Sequence, residues 1–225
     1  MFDGASNFAH SVDSVFLFTI IVSVFFLVLI TFLMIFFVIR YNRKKNPKAT
    51  NIHGHVGLEI LWTAIPTVLV LIMFWYGWVG YKDMADIPDD AMTVDVTAMM
   101  WNWKFKYDNG RETDSLYVPV NTPVVLNLRS SDVNHAFYIP AFRIKKDVYP
   151  GQDRQIWFEA TNEGAYDIAC AEYCGLQHSY MYSKIFVLSE DEFESWMKQE
   201  PGSDQTSGNA VDQLNNEEQV PVAGN

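Results

Sequence analysis

Two long apolar stretches dominate the front of the chain. Residues 15–39 run for 25 positions without a charge, and residues 60–81 for 22. At about 1.5 Å of rise per residue, each is long enough as a helix to cross the roughly 30 Å hydrocarbon core of a bilayer. The pattern predicts two transmembrane helices, over 15–39 and 58–81, joined as a hairpin by a polar connector over 40–57. A cleaved signal peptide would need a shorter apolar stretch behind a basic leader. Before residue 15 the only charges are Asp3 and Asp13, so the expectation for 1–14 is a short outer segment and for the first run an anchor.

Beyond residue 81 the periodicity changes. Short runs rich in Val, Ile and aromatics, over 93–97, 101–107, 124–129, 136–139, 154–160 and 182–188, are separated by turn residues such as Asn109-Gly110, Pro150-Gly151 and Glu163-Gly164. Six or seven short strands over 82–189 predict an all-β Greek-key sandwich or barrel. In 101–107 the odd-numbered Trp101, Trp103, Phe105 and Tyr107 share one strand face, and Asn102, Lys104 and Lys106 the other. Over 190–225 the expectation is an acidic helix capped by Ser189, then a polar, flexible tail.

Charge fixes the orientation. The connector carries Arg40, Arg43, Lys44, Lys45 and Lys48, while residues 1–14 carry no Lys or Arg. The positive-inside rule puts the connector in the cytoplasm and both termini outside. From Asp83 onward 24 Asp and Glu face 10 Lys and Arg, a net charge of −14. That sign disfavours nucleic acid as a partner and favours steering of a cationic protein.

The chemistry concentrates near the C-terminal end of the sandwich. Cys170 and Cys174 are the only cysteines, and His178 and Met181 follow within seven residues of Cys174. Two thiols, an imidazole and a thioether are a soft donor set that suits copper, with structural zinc or a disulfide as the competing readings. A single-copper loop needs one Cys; a second thiolate lets both sulfurs bridge two metals, each then needing its own imidazole. The five histidines are at 10, 53, 55, 135 and 178. Three of them flank the apolar runs, which leaves His135 as the imidazole belonging to the same folded region.

These residues, Cys170-x-Glu172-x-Cys174-x-x-x-His178-x-x-Met181 with His135 placed 35 positions before Cys170, resemble the binuclear CuA centre of the cytochrome c oxidase subunit II family. The resemblance implies a cupredoxin-like domain in which Cys170 and Cys174 bridge two coppers. It also implies that His135, His178 and Met181 are ligands and that Glu172 contributes its backbone carbonyl. The Glu172 carboxylate is then expected to reach a magnesium or manganese ion shared with subunit I. Trp101-x-Trp103 is similar to the family's Trp-x-Trp motif, which implies that Trp101 receives electrons from cytochrome c. Asp132 matches a position near the family's acidic docking surface. Glu59, in Glu59-x-x-Trp62-Thr63-x-x-Pro66, resembles the carboxylate at the mouth of a proton channel.

The expected function is electron acceptance from cytochrome c in a proton-pumping oxidase of the inner (plasma) membrane, with the copper domain outside and no oxygen reduction by this chain alone. A copper-free quinol oxidase counterpart is disfavoured by the intact donor set. A nitrous oxide reductase is disfavoured by the two-helix anchor and the missing His-rich domain. A membrane-anchored copper carrier or assembly factor is the alternative.

Overall fold

The computed structural model describes residues 4–48 and 53–199; the tail anticipated after residue 199 lies outside the described residues. The chain divides into two compact units, one formed by His10–Asp83 and the other by Met1–Ala9 together with Met84–Asn225.

The first unit holds two helices, α1 (Ala9–Arg40) and α2 (Val56–Ala85). Both are longer than the uncharged runs because flanking polar residues at each end continue the helical path. They expose Phe, Leu, Ile and Val on every side, from Phe16 to Ile39 and from Val56 to Val79. A helix apolar all round is stable only against an apolar medium, so both are membrane spans. His55 caps α2: its Nδ1 accepts from the Leu58 amide at 3.2 Å and its carbonyl accepts from the Glu59 amide at 3.0 Å.

The second unit is a cupredoxin-like sandwich of ten strands. In chain order they are β1 (Met92–Met99), β2 (Asn102–Tyr107), β3 (Glu112–Thr113), β4 (Leu116–Pro119), β5 (Pro123–Ser130), β6 (His135–Ile139), β7 (Ile144–Val148), β8 (Arg154–Glu159), β9 (Gly164–Cys170) and β10 (Tyr182–Leu188). One sheet runs β3-β2-β1-β5-β8 and the other β4-β10-β9-β6-β7. The β1–β5 and β4–β10 pairs are parallel and the rest antiparallel. Strand β2 follows the period of two: Trp103, Phe105 and Tyr107 are buried, whereas Asn102, Lys104 and Lys106 are exposed. Trp103 and Phe105 meet Phe137 edge to face across the sandwich, with ring centroids 5.2 and 6.3 Å apart.

Four strands escaped the sequence reading. Strand β7 carries Lys145, Lys146 and Asp147 in its middle, β9 interrupts its apolar positions with Asp167, and β3 and β4 are only 2 and 4 residues long. Trp101 also departs from the expected face: it lies in the turn before β2, outside the alternation.

Two peripheral pieces complete the core. Helix α3 (Glu190–Lys198) has a full capping box, with Ser189 Oγ accepting from the Glu192 amide and the Glu192 carboxylate accepting from the Ser189 amide. Its Trp196 stacks on Tyr117 at 4.4 Å and lies 4.0 Å beneath the Arg111 guanidinium, whose Nη1 donates to the Trp196 and Gln199 carbonyls. At the other end of the sequence, residues 5–8 strap across the sandwich. The Ala5 amide donates to Ala141 O, the Thr161 amide to Ala5 O and the Asn7 amide to Glu159 O, each at 3.0 Å. Ser6 Oγ donates to Phe142 O at 2.8 Å, and Phe8, only 6% exposed, sets its ring edge-on to Trp157 at 4.8 Å.

Candidate metal centre

The donors gather at one end of the second sheet because three neighbouring strands deliver them. His135 opens β6, Cys170 closes β9, and Met181 immediately precedes β10. Antiparallel pairing of β6 with β9 at Phe137–Cys170 and of β9 with β10 at Ala169–Tyr182 holds these strand ends side by side. Two further bonds lock the frame: the Ala171 amide donates to Ala136 O at 3.0 Å and the Cys170 amide to Met181 O at 3.1 Å.

Cys170 and Cys174 are both free and buried, with their sulfurs 3.8 Å apart. A disulfide requires about 2.05 Å. Two thiolates each about 2.3 Å from one tetrahedral metal lie about 3.8 Å apart, so the pair has the separation of a shared coordination edge. His135 Nδ1 lies 3.8 Å from Cys170 Sγ, and His178 Nδ1 lies 3.6 Å from Cys174 Sγ. Met181 Sδ is 3.8 Å from Cys174 Sγ, and the Glu172 carbonyl is 3.3 Å from Cys170 Sγ. Each sulfur thus has one imidazole beside it, and each side has one weaker donor. His135 Nδ1 and both sulfurs fall within 4.8 Å of one another, close enough for common ligation.

Electrostatics calls for a cation here. Burial, followed by the Cys170 sulfur alongside, pushes the Cys174 thiol up to about 12. Ionising Cys174 therefore calls for positive charge beside it, as soft-metal binding supplies. His135 and Met181 are fully buried and both sulfurs nearly so, while His178 and Glu172 are half-buried at the rim; the residues present fit a pair of coppers.

Asp132 organises the surroundings. Its Oδ1 lies 2.8 Å from His135 Nε2, which turns Nδ1 toward Cys170. The same carboxylate accepts from the Val133 amide and, through Oδ2, from the Met100 amide, both at 2.6 Å. Burial works to raise its pKa, but the bonds from His135 and the two amides outweigh it and hold the carboxyl below its ordinary value. Asp132 therefore ties His135 to the turn that carries Trp101.

Trp101 sits directly on the cysteine loop. A Cβ added to Gly175 would lie 3.4 Å from Cζ2 and Nε1 of the indole, and Gly175 itself has φ of +123°. Position 175 thus favours glycine for its backbone, and an added Cβ would sit in contact with the ring. Met100, Tyr173, Leu176 and Tyr180 stand exposed around this end of the domain. Trp103 takes a different place, fully buried with its ring 6.1 Å from that of His135. Gly175 and the Asp132 bonds were missed from sequence; the Gly that follows Cys174 directly was the available signal.

Glu59 lies in the other unit, in the first turn of α2, with its carboxylate close over Gly54.

Fold and donor set together define a membrane-anchored, cupredoxin-like protein built to hold soft metal. Residues 1–77 match the family model for the transmembrane domain of cytochrome C oxidase subunit II, and residues 67–188 match the model for its periplasmic domain. The chain belongs to the cytochrome c oxidase subunit II family and is thus a subunit of an oxidoreductase complex. It is 29% identical to cytochrome c oxidase subunit 2 of Synechocystis, over 86% of this chain and 73% of that protein. It is 35% identical to the subunit 2 of Alkalihalophilus pseudofirmus, over 76% of this chain and 54% of that one. Among solved structures, the periplasmic domain of subunit II of cytochrome oxidase from Bradyrhizobium japonicum aligns at 31% identity with a TM-score of 0.48, covering 49% of this chain and 94% of that one.

Proposed function

We propose that this chain is the electron-accepting subunit of a proton-pumping terminal oxidase: it takes electrons from cytochrome c at a binuclear CuA centre and passes them to the subunit I haem, where oxygen becomes water. The observation that carries the reading is the pair of free, buried thiols 3.8 Å apart with one imidazole beside each.

When bound, the copper pair supplies a one-electron relay. Cys170 and Cys174 would hold the metals through their thiolates, His135 and His178 would supply the imidazoles, and Met181 and the Glu172 carbonyl would be the weaker donors. The Glu172 carboxylate is an oxygen donor suited to a magnesium or manganese ion at the boundary with subunit I. Strands β6, β9 and β10 hold the donors rigidly, which keeps the rearrangement accompanying electron transfer small. Asp132 fixes the His135 tautomer and, with its side chain 23% exposed, also adds to the acidic field. Trp101, lying against Gly175, gives an incoming electron an aromatic path from the exposed rim to the cysteine loop.

Topology supports the periplasmic placement. Residues 5–8 pack into the sandwich, so the N-terminal segment lies on the same side of the membrane as the β domain. The basic connector after Arg40 then lies on the opposite, cytoplasmic side. Glu59, at that end of α2, is assigned to proton intake; a Glu59→Gln oxidase with unaltered turnover and proton uptake would remove it from the path. The copper-carrier alternative is disfavoured because the His135 and Met181 donors are fully buried, whereas a carrier must exchange metal readily.

Stopped-flow reduction of the copper-loaded full chain by reduced cytochrome c tests the reading. Reduction should be fast at low ionic strength and slow as salt rises, because the domain's charge steers the donor. Trp101→Phe should slow it further without changing copper content. Reduction indifferent to both salt and Trp101 would sink the assignment.

A further inference from the structure

The outer face of the β3-β2-β1-β5-β8 sheet, together with the adjoining edge strand β7, runs against the charge of its own domain. Of the 10 Lys and Arg that follow Asp83, six line two adjoining hollows of about 840 and 340 Å³: Lys104, Lys106, Arg129, Lys145, Lys146 and Arg154. Four of the 24 carboxylates share those walls, namely Asp95, Glu112, Asp147 and Asp153. The stretch from Asp83 onward, of net charge −14, thus carries a locally positive groove.

Several of these charges are already answered. Arg129 Nε bonds Asp153 at 2.8 Å, Lys145 pairs with Asp147 at 3.3 Å, and Lys104 stands 3.9 Å from Glu112. Asp95 accepts from Asn127 Nδ2 at 2.9 Å, and Asn127 in turn accepts from Gln155. Lys106 and Lys146 have no carboxylate partner among the described residues. Arg154 is placed for more than it does. Its guanidinium lies 5.3 Å over the Tyr149 ring and donates once to Gln152, while its Nε is shielded from solvent with no hydrogen-bond partner among the described residues. Lys146 and Arg154 line both hollows, so an unused ammonium and an underused guanidinium meet at their junction.

We infer that this groove binds a small soluble anion carrying two or more phosphate groups, seated on Lys146 and Arg154 and extending toward Lys106. The planar Arg fork matches phosphate oxygens, and the Lys ammonium groups act as point charges beside it. A singly charged carboxylate ligand would gain nothing over Asp147 and Asp153, which already occupy the neighbouring cations. Only a multiply charged anion outcompetes them.

Calorimetric titration of the full chain in neutral detergent with sodium pyrophosphate tests this, at fixed ionic strength. The thiols are kept reduced and copper is left out, because pyrophosphate chelates it. Saturable binding of one pyrophosphate per chain is expected, weakened at least tenfold in Lys146→Gln and largely restored in Lys146→Arg. Lys184→Gln, whose lysine pairs with Asp167 at 2.7 Å in the other sheet, should bind as the unmodified chain does. Absence of saturable heat, or equal affinity in Lys146→Gln, overturns the proposal.

Discussion

Replacing Phe8 by Ala should destabilise a β domain whose first strand begins 84 positions later. Phe8 is 6% exposed and its ring meets Trp157 at 4.8 Å, while its neighbour Ala5 is 1% exposed and Ser6 bonds Phe142 O. Truncating a buried Phe costs about 3–5 kcal/mol, and the lower end applies at the rim of a sandwich where the strap can settle. The backbone bonds of Ala5 and Asn7 survive the substitution, so they do not add to the loss. About 3 kcal/mol is roughly a hundredfold in the folded-to-unfolded ratio. With a urea dependence of about 2 kcal/mol/M, the unfolding midpoint should fall by about 1.5 M. The assay is urea unfolding of the full chain in detergent, followed by near-ultraviolet circular dichroism of the buried aromatics. Phe25→Ala, a comparable truncation of a 59% exposed ring on α1, is the control and should leave the midpoint in place. Equal midpoints for Phe8→Ala and the unmodified chain would show that the strap contributes nothing to the sandwich, and would remove the structural support for an outward N-terminus.

Three further outcomes are expected. Gly175→Ala meets both a φ of +123° and an indole 3.4 Å from the new methyl, so it should slow reduction by cytochrome c at least tenfold while copper binding persists; an unchanged rate would detach Trp101 from the path. Met181→Leu removes a weak donor 3.8 Å from Cys174 Sγ and should shift the potential of the centre without abolishing it, as read by redox titration; loss of the metal would make Met181 a principal ligand. Glu192 has its pKa lowered by bonds from the Ser189 side chain and amide. Its stabilisation of α3 is therefore full above the ordinary Glu value of about 4.3 and is lost as pH falls through the depressed one. Amide protection factors in α3, taken relative to the intrinsic exchange rate at each pH, should stay level from pH 7 to 5 and fall only below about pH 4, and Glu192→Ala should flatten that dependence.

How much of this was legible in the sequence varies with the range over which the determinants act. The cysteine loop was readable because its donors fall within twelve consecutive positions, and His135 because few histidines compete for the role. The apolar runs marked both helices, since bilayer length is a local property. Strand β7 was hidden because Lys145, Lys146 and Asp147 separate its two buried apolar residues, Ile144 and Val148, on an edge strand. The strap was invisible for another reason: Ala5 and Asn7 find partners at Ala141, Glu159 and Thr161, more than 130 residues away. Period-two reading put Trp101 on the core face with Trp103, but the strand begins one residue later and the turn releases the ring onto Gly175. Asp132 was expected at a docking surface. Its hydrogen bonds with His135, Val133, Met100 and Ser130 depend on a turn geometry that spacing alone does not convey.

The central claim is that two thiolates of this chain share two coppers. Electron paramagnetic resonance of the copper-loaded full chain, with metal content measured on the same sample, tests it most directly. Two coppers per chain, with one unpaired electron split equally by both nuclei and the signal lost in Cys170→Ser and in Cys174→Ser, is the predicted result. One copper per chain with a single-nucleus pattern, or a two-copper signal that survives loss of either cysteine, would contradict it.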